Sequence, residues 1–270
     1  MKVTFLVDNY VDRAGLLAEH GFSALIEVDG KNILFDAGQT GAIMSNIKFL
    51  GIYPKSIDFI VLSHGHYDHT GGLLYLNLSE HIKIYSHKAI DSRHLRVRLD
   101  GDYDYIGIDE TFFSKNQHLF SFNESVSEID KGIFLSGGIN RFEEFDSDKN
   151  LFIEYSGVYS KDYFPDEQYL AIREEDGWSI ITGCSHAGIV NIVKDFKSKF
   201  GDPIIKSVIG GFHLFRSGEK ELHHVSDFLM SNDIKYIITG HCTGINAICH
   251  FSKIFQKRFI PIKVGLTVEI

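Results

Sequence analysis

A histidine-rich segment that directly follows a short apolar run constrains this chain more than any other feature. Residues 59–62 are predicted to form a buried strand. The next ten residues contain four side chains that can bind a metal ion: His64, His66, Asp68 and His69. Side chains within a strand alternate between two faces, whereas a loop at a strand end can turn all four towards one point. Neutral imidazole and carboxylate are ligands that zinc, iron and manganese accept, so the segment predicts a metal site.

Three further candidates occupy the same setting at the ends of predicted strands. Asp36 follows a strand at 33–35, His186 follows one at 179–182, and His241 follows one near 236–239. Open α/β folds gather residues that are remote in sequence at the carboxyl ends of their strands. We therefore expect these residues to lie near the histidine-rich segment.

The distribution of apolar residues predicts an α/β sandwich in which helices cover mixed sheets. Helical periodicity occurs at 42–50, 189–200, 222–232 and 245–255. Asp29 and Gly30 separate two predicted strands and form a strong hairpin signal. The segment at about 88–164 is polar, rich in aromatic residues and poorly periodic. We predict that it is an insertion with strands of its own within a single domain covering 1–270.

Composition excludes several classes of protein. The 270 residues contain 27 basic and 36 acidic side chains, for a net charge of −9, which disfavours binding to nucleic acid. The 3 cysteines contain no CxxC pair, which favours a reduced compartment and hence a cytoplasmic location. No run of 18 apolar residues is present, so no membrane association is expected.

The order of these motifs resembles the metallo-β-lactamase fold superfamily. The resemblance rests on an Asp after an early strand, the HxHxDH segment, a later lone His and a final His. It implies an αββα sandwich with two mixed sheets flanked by helices. It also implies two divalent metal ions, with zinc expected first and iron or manganese as alternatives. In this sequence His64, His66 and His186 would bind one metal, and Asp68, His69 and His241 the other, while Asp36 would orient the loop by hydrogen bonding.

A narrower resemblance concerns the subfamily of metal-dependent hydrolases named for a dihydropterin–ribofuranosylaminobenzene 5′-phosphate synthase. The matching segments are 8–9, 19–23, 62–73, 183–189, 210–214 and 239–244. The enzyme for which the subfamily is named forms a carbon–nitrogen bond and displaces pyrophosphate. Many members of the subfamily have no assigned substrate.

One position departs from the superfamily pattern. A bridging carboxylate usually follows the strand between the third and the final histidine motif, but here that strand leads to His213. We predict that His213 is the metal ligand at this position. With Asp68 as the sole anionic ligand, two divalent metals would carry about +3, which favours anionic substrates. The same change weakens the case for full occupancy of both metal positions.

Smaller signals identify further candidates around the site. Asp8 and Asn9 end the first strand and could reach the site or simply form a turn. His20 and His87 are candidate pocket residues. Cys184 and Cys242 flank the expected ligands, although a small buried residue is the more common role of cysteine. Candidate phosphate-binding residues are Arg93, Arg96, Arg98 and Arg216.

Together these observations predict a metal-dependent hydrolase with Asp68 as its catalytic residue. A metal-activated water would attack an anionic, phosphate-containing small molecule. One alternative is a transferase of the synthase type, which displaces pyrophosphate. An alternative of another class is a metal-dependent ligand-binding protein without turnover. The intact HxHxDH segment disfavours a binding protein without turnover, because Asp68 is chiefly needed for chemistry.

Overall fold

Two mixed sheets form the centre of the protein in a computed structural model that describes residues 1–146 and 148–270. The strands in chain order are β1 (Lys2–Val7), β2 (Ser23–Val28), β3 (Lys31–Phe35), β4 (Phe59–Val61), β5 (Lys83–His87), β6 (Arg93–Val97), β7 (Tyr103–Tyr105), β8 (Phe120–Asn123), β9 (Ser127–Asp130), β10 (Ile133–Leu135), β11 (Leu151–Tyr155), β12 (Val158–Lys161), β13 (Leu170–Glu174), β14 (Gly177–Ile181), β15 (Ile205–Gly211), β16 (Tyr236–Gly240), β17 (Phe259–Pro261) and β18 (Thr267–Glu269). The helices are α1 (Ala42–Phe49), α2 (Tyr67–Thr70), α3 (Glu110–Asn116), α4 (Ile189–Phe200), α5 (Glu219–Ser231) and α6 (Ile245–Phe255).

The described strands fall into three sheets. The first has the order β18-β1-β2-β3-β4-β5-β8, and the second has the order β17-β16-β15-β14-β13-β10-β9. Strands β3, β4, β5 and β8 are parallel to one another, as are β14, β15, β16 and β17. A third, smaller sheet has the order β12-β11-β6-β7. Parallel strands end at the same edge of each large sheet, which is where the site is built.

The apolar core is layered, and the layering confirms the predicted αββα sandwich. Between the large sheets, residues such as Phe35 and Ile209 are fully buried. Helices α4, α5 and α6 cover the outer face of the second sheet, with Phe196 and Phe251 in that layer. Helix α1 covers the first sheet through residues such as Ile47. Full burial of a large apolar side chain contributes about 1.5–3 kcal/mol, so these layers supply most of the stabilisation.

The hairpin between β2 and β3 follows directly from the sequence. Asp29 and Gly30 have φ angles of 48° and 76°. Positive φ at both central positions is the geometry of a type I′ turn, which matches the twist of the flanking strands. The turn therefore fixes the register of β2 against β3 and, through β3, the position of Asp36.

The segment predicted as an insertion divides between the three sheets. Strands β6, β7, β11 and β12 form the small third sheet, whereas β8 extends the first large sheet and β9 and β10 extend the second. The aromatic residues of this segment pack in separate groups, such as Phe113 with Phe120 and Tyr103 with Tyr159. No helix among the described residues is long and apolar enough to cross a membrane.

Candidate metal centre

The candidate residues gather at the carboxyl ends of strands from both large sheets. Asp36 follows β3, the histidine-rich segment follows β4, and His241 follows β16. Four residues here have positive φ although they are not glycine: Asp36 (54°), Ser185 (61°), His213 (49°) and His241 (47°). Such backbone conformations cost about 1–3 kcal/mol each and cluster at functional sites. The surrounding packing therefore holds these side chains in their orientations.

A first set of ligand atoms is formed by His64, His66 and His186. All three residues are buried, and their ligand nitrogens lie within 4.8 Å of one another. The Nε2 atoms of His64 and His66 are buried without a hydrogen-bond partner among the described residues. Burial lowers the pKa of all three imidazoles well below the usual range, so each ring is neutral. A neutral imidazole nitrogen is the form in which histidine binds a metal ion.

A second set consists of Asp68, His69 and His241. The Oδ2 atom of Asp68 lies 3.7 Å from His69 Nε2 and 3.5 Å from His241 Nε2. Burial alone would raise the pKa of Asp68, but His69 and His20 hold it well below its usual range. The carboxylate is therefore ionised and faces two imidazole nitrogens.

Oxygen acceptors fix the orientation of the imidazole rings. His69 Nδ1 lies 2.7 Å from Asp36 Oδ2, and His241 Nδ1 lies 3.0 Å from Asn9 Oδ1. Both oxygens accept hydrogen bonds, so Nδ1 carries the proton and Nε2 faces the site. Metal-binding histidines commonly have such partners on the other ring nitrogen.

Asp36 holds the histidine-rich loop through three contacts. Its carboxylate accepts hydrogen bonds from the Ser63 amide and the Ser63 hydroxyl, both at 2.7 Å, in addition to the His69 contact. Ser63 Oγ in turn lies 2.9 Å from His64 Nδ1 and accepts from it. Gly183 approaches this network so closely that a Cβ there would overlap Ser63. One buried carboxylate thus orients residues of both metal sets.

The remaining sequence candidates differ in where they lie. The Asp8 carboxylate accepts the His241 backbone N–H at 2.8 Å, and burial raises its pKa to about 7. His20 is exposed, and its Nε2 lies 3.2 Å from Asp68 Oδ2, which raises the pKa of His20. His87 ends β5 and accepts the Ala89 N–H through Nδ1 at 3.2 Å. It is not among the described residues that line the cavity beside Asp68 and His186.

His213 lies beside the first set of ligands. Its ring centroid is 4.3 Å from that of His186, and it is buried. Neither of its ring nitrogens has a hydrogen-bond partner among the described residues. A ligand atom of His213 lies within 4.8 Å of the sulfur atoms of Cys184 and Cys242. Ligation of a metal by His213 stays a prediction, and its position is compatible with it.

Sequence reasoning missed a group of buried acidic residues that support the ligands. Glu167 accepts the backbone N–H groups of His186 and Ala187 at 2.5 and 2.7 Å. Asp166 accepts the Gly65 N–H at 2.6 Å. The ring of Phe164 stacks on that of His186 with centroids 3.6 Å apart. The available signal was a pair of adjacent acids, Asp166 and Glu167, separated by one residue from a predicted buried strand that begins at Tyr169.

A cavity of about 500 Å³ is lined by five of the candidate metal ligands, His66, Asp68, His186, His213 and His241. This volume lies within the range of small-molecule sites. Arg96 and Arg216 line the cavity, and Arg216 also pairs with Asp148 at 2.5 Å. By contrast, Arg93 pairs with Glu110 and Glu154, and Arg98 with three aspartates. Of the four predicted phosphate-binding residues, two therefore reach the cavity.

The donor set fits divalent metal ions. Imidazole nitrogens that face inward, some of them buried without a hydrogen-bond partner, converge with an ionised carboxylate. This arrangement costs free energy unless a bound cation compensates for it.

The comparison with known proteins agrees with a metal site. A model of the metallo-beta-lactamase superfamily matches residues 17–241. The chain belongs to the metallo-β-lactamase superfamily. Members of this family are metal-dependent, and clusters of His, Cys and Asp side chains in this chain, among them His64, His66 and His186, are able to bind metal.

Relatives within the superfamily match almost the whole chain. An uncharacterised protein of Methanocaldococcus jannaschii is 37% identical over 274 residues, covering 99% of this chain and 100% of the relative. A protein of the same organism named 7,8-dihydropterin-6-methyl-4-(β-D-ribofuranosyl)-aminobenzene-5′-phosphate synthase is 33% identical over 285 residues, covering 100% of this chain and 96% of the relative. A crystal structure described as a metal-dependent hydrolase of the β-lactamase superfamily has a TM-score of 0.87 and 33% identity, covering 100% of this chain and 99% of that one.

Proposed function

We propose that this protein is a metal-dependent hydrolase that acts on an anionic, phosphate-containing small molecule. The observation that carries the proposal is that His66, Asp68 and His186 line one cavity together with Arg96. A divalent metal, when bound, activates water and stabilises charge that develops on the substrate.

The protein's own residues would bind and orient the reactants. His64, His66 and His186 would hold one metal, and Asp68, His69 and His241 the other. Asp68, with its pKa held low, would accept a hydrogen bond from the attacking water and orient it.

Arg96 and Arg216, at the cavity wall, would bind the substrate's phosphate through charged hydrogen bonds. Zinc is the metal that we expect first, because imidazole and carboxylate donors suit it.

A second candidate is a synthase that joins a dihydropterin to an arylamine and displaces pyrophosphate. The relative with that name, 33% identical along the whole chain, supports this candidate. In that reaction the metals and the arginine side chains would hold the leaving pyrophosphate, and no water would be needed as a nucleophile.

A set of three measurements separates these candidates. Purified protein loaded in turn with Zn²⁺, Mn²⁺ or Fe²⁺ is incubated with bis(p-nitrophenyl) phosphate, and the release of nitrophenolate is followed. Hydrolysis above the metal-free control supports the hydrolase. Inertness on this diester, together with coupling of a dihydropterin pyrophosphate to an arylamine, supports the synthase. Neither activity, combined with tight binding of inorganic phosphate, would indicate a metal-dependent binding protein instead.

A further inference from the structure

The thiol of Cys184 lies between the two sets of metal-binding side chains. Its Sγ atom is 3.1 Å from His69 Nε2 and 3.3 Å from His241 Nε2. The ligand atoms of His64, His69 and Cys184 all lie within 4.8 Å of one another. Cys184 is 2% exposed, so this sulfur atom is buried in the centre of the site.

These distances are close to those between ligands of one metal ion. Zinc bonds to sulfur at about 2.3 Å and to imidazole nitrogen at about 2.0–2.1 Å, so two such ligands of a tetrahedral zinc are about 3.6 Å apart. The Cys184 sulfur would have to move by only a few tenths of an ångström. His69 and His241 have their other ring nitrogens fixed by Asp36 and Asn9, so their Nε2 atoms already face the sulfur.

The charge of the site also favours a thiolate ligand at Cys184. His213 occupies the position where an anionic ligand is expected, which leaves Asp68 as the one carboxylate in the two metal sets. A thiolate at Cys184 would supply the missing negative charge from a different strand end, that of β14. Thiolate sulfur is also a preferred ligand of zinc.

We infer that Cys184 binds, as a thiolate, the metal held by Asp68, His69 and His241. This inference rests on the proposed metal centre and adds a ligand to it. As the bond between sulfur and metal forms, the thiol proton is released to solvent.

Cys242 is the competing thiol. Its sulfur groups with Cys184 and His213 within 4.8 Å, but it donates to the Cys184 carbonyl oxygen at 3.4 Å. The Cys242 thiol therefore already has a backbone partner. Its removal is the matched control for removal of Cys184, since both residues are buried; Cys249 is exposed and provides a second control.

Titration of the full chain with Co²⁺ tests the inference without any assay of activity. Bound Co²⁺ shows visible d–d bands, and a thiolate ligand adds a charge-transfer band in the near ultraviolet. We expect this band in the wild type, in Cys242→Ser and in Cys249→Ser, but not in Cys184→Ser. In Cys184→Ser the affinity for Co²⁺ should fall by at least about 10- to 100-fold. This is the loss typical when a residue that hydrogen-bonds to a metal ligand is removed.

Each of the other possible outcomes would contradict either the role of Cys184 or the metal centre itself. Visible bands without charge transfer in the wild type would overturn the role of Cys184 and leave the metal centre in place. Loss of the charge-transfer band in Cys242→Ser alone would assign the ligand to Cys242. Failure of the wild type to bind Co²⁺ would overturn the metal centre itself. If Cys184→Ser does not fold, the double variant Cys242→Ser/Cys249→Ser tests the inference instead, because Cys184 is then the one remaining cysteine of the 3 in the chain. Absence of the charge-transfer band in this double variant would overturn the inference.

Discussion

Asp68 is an ionised carboxylate in a place where burial disfavours charge. Its Oδ2 atom lies within 3.7 Å of three imidazole nitrogens, those of His20, His69 and His241. Asp68→Asn keeps the shape but removes the charge that would orient a water molecule. We expect the turnover number for bis(p-nitrophenyl) phosphate to fall by about 10²–10⁴-fold. His81→Gln, at an exposed histidine, should leave the turnover number unchanged; an Asp68→Asn variant within threefold of the wild type would refute the catalytic role.

His69 lies between two carboxylates, and this position sets its charge in the metal-free protein. Burial opposes protonation of the ring, but Asp68 and Asp36 outweigh burial and raise the pKa of His69 to about 9. Below pH 9 the ring is therefore protonated, and a metal must displace that proton. We expect metal affinity to rise about tenfold per pH unit from pH 7 towards pH 9. Calorimetric titration in buffers with different ionisation enthalpies should detect the released proton; an affinity that does not change with pH would contradict this assignment.

At the scale of single residues, the sequence could indicate candidate ligands but not the residues that support them. His64, His66, Asp68 and His69 are recognisable because they stand close together and their chemistry depends on residue type. Asp166 and Glu167 bind backbone N–H groups of residues 65, 186 and 187, and any acidic residue in reach could do so. That choice is made by the tertiary fold, so it leaves no pattern along the chain.

The small third sheet is joined to the histidine-rich loop by a buried ionic network. His94 on β6 contacts Asp162 Oδ2 at 2.5 Å and Asp166 Oδ2 at 3.2 Å. Burial opposes protonation of His94, but the two carboxylates raise its pKa to about 10. Asp166 also accepts the Gly65 N–H, so the network reaches the metal-binding loop.

Removal of His94 should therefore weaken the whole protein. His94→Ala leaves two buried carboxylates without their cation, and we expect the free energy of unfolding to fall by about 3–5 kcal/mol. Urea denaturation of the metal-free protein measures this change, with His118→Ala at an exposed position as the control. A loss below 0.5 kcal/mol, the usual limit for exposed positions, would mean that the network does not contribute to stability.

The same sheet supplies a wall of the cavity through Arg96, and its neighbour Arg98 offers a matched comparison. Arg98 is already paired with Asp100, Asp102 and Asp104, whereas Arg96 lines the cavity. Arg96→Ala should raise KM for a phosphate diester about 10- to 100-fold, which corresponds to about 1.4–2.7 kcal/mol and is typical of a hydrogen bond to a charged group. Arg98→Ala should leave KM unchanged; equal effects of both variants would indicate a general change of surface charge.

Whole elements were predictable where local periodicity and tertiary packing agree. Helices α4 and α6 have the predicted bounds, because their apolar faces repeat with helical period and cap one sheet. The segment at about 88–164 was harder to interpret from the sequence. Its strands are short and pair with partners distant in sequence, such as β8 with β5 and β10 with β13. Pairing of this kind depends on the fold rather than on local pattern.

For the molecule as a whole, the metal centre should contribute to stability as well as to chemistry. A ligand that binds the folded state alone stabilises it by about 2.7 kcal/mol at a concentration of 100 Kd. For a chain of this size each kcal/mol changes Tm by about 2–4 °C. We therefore expect removal of metal by a chelator to lower Tm by at least about 5 °C in calorimetry. Addition of Zn²⁺ should restore Tm. An unchanged Tm after treatment with the chelator would contradict a bound metal.

The hydrogen bond from the His241 backbone to Asp8 joins positions 233 residues apart, and it has a kinetic consequence. Contacts between positions so far apart require closure of a very long loop and generally form late in folding. The proposed metal ligands come from both large sheets, so a complete set of ligands would exist only once those sheets have packed. A bound metal should therefore act after the folding transition state, slowing unfolding while leaving the folding rate nearly unchanged. For this chain, metal occupancy would then govern how long a folded molecule persists more than how quickly it is made.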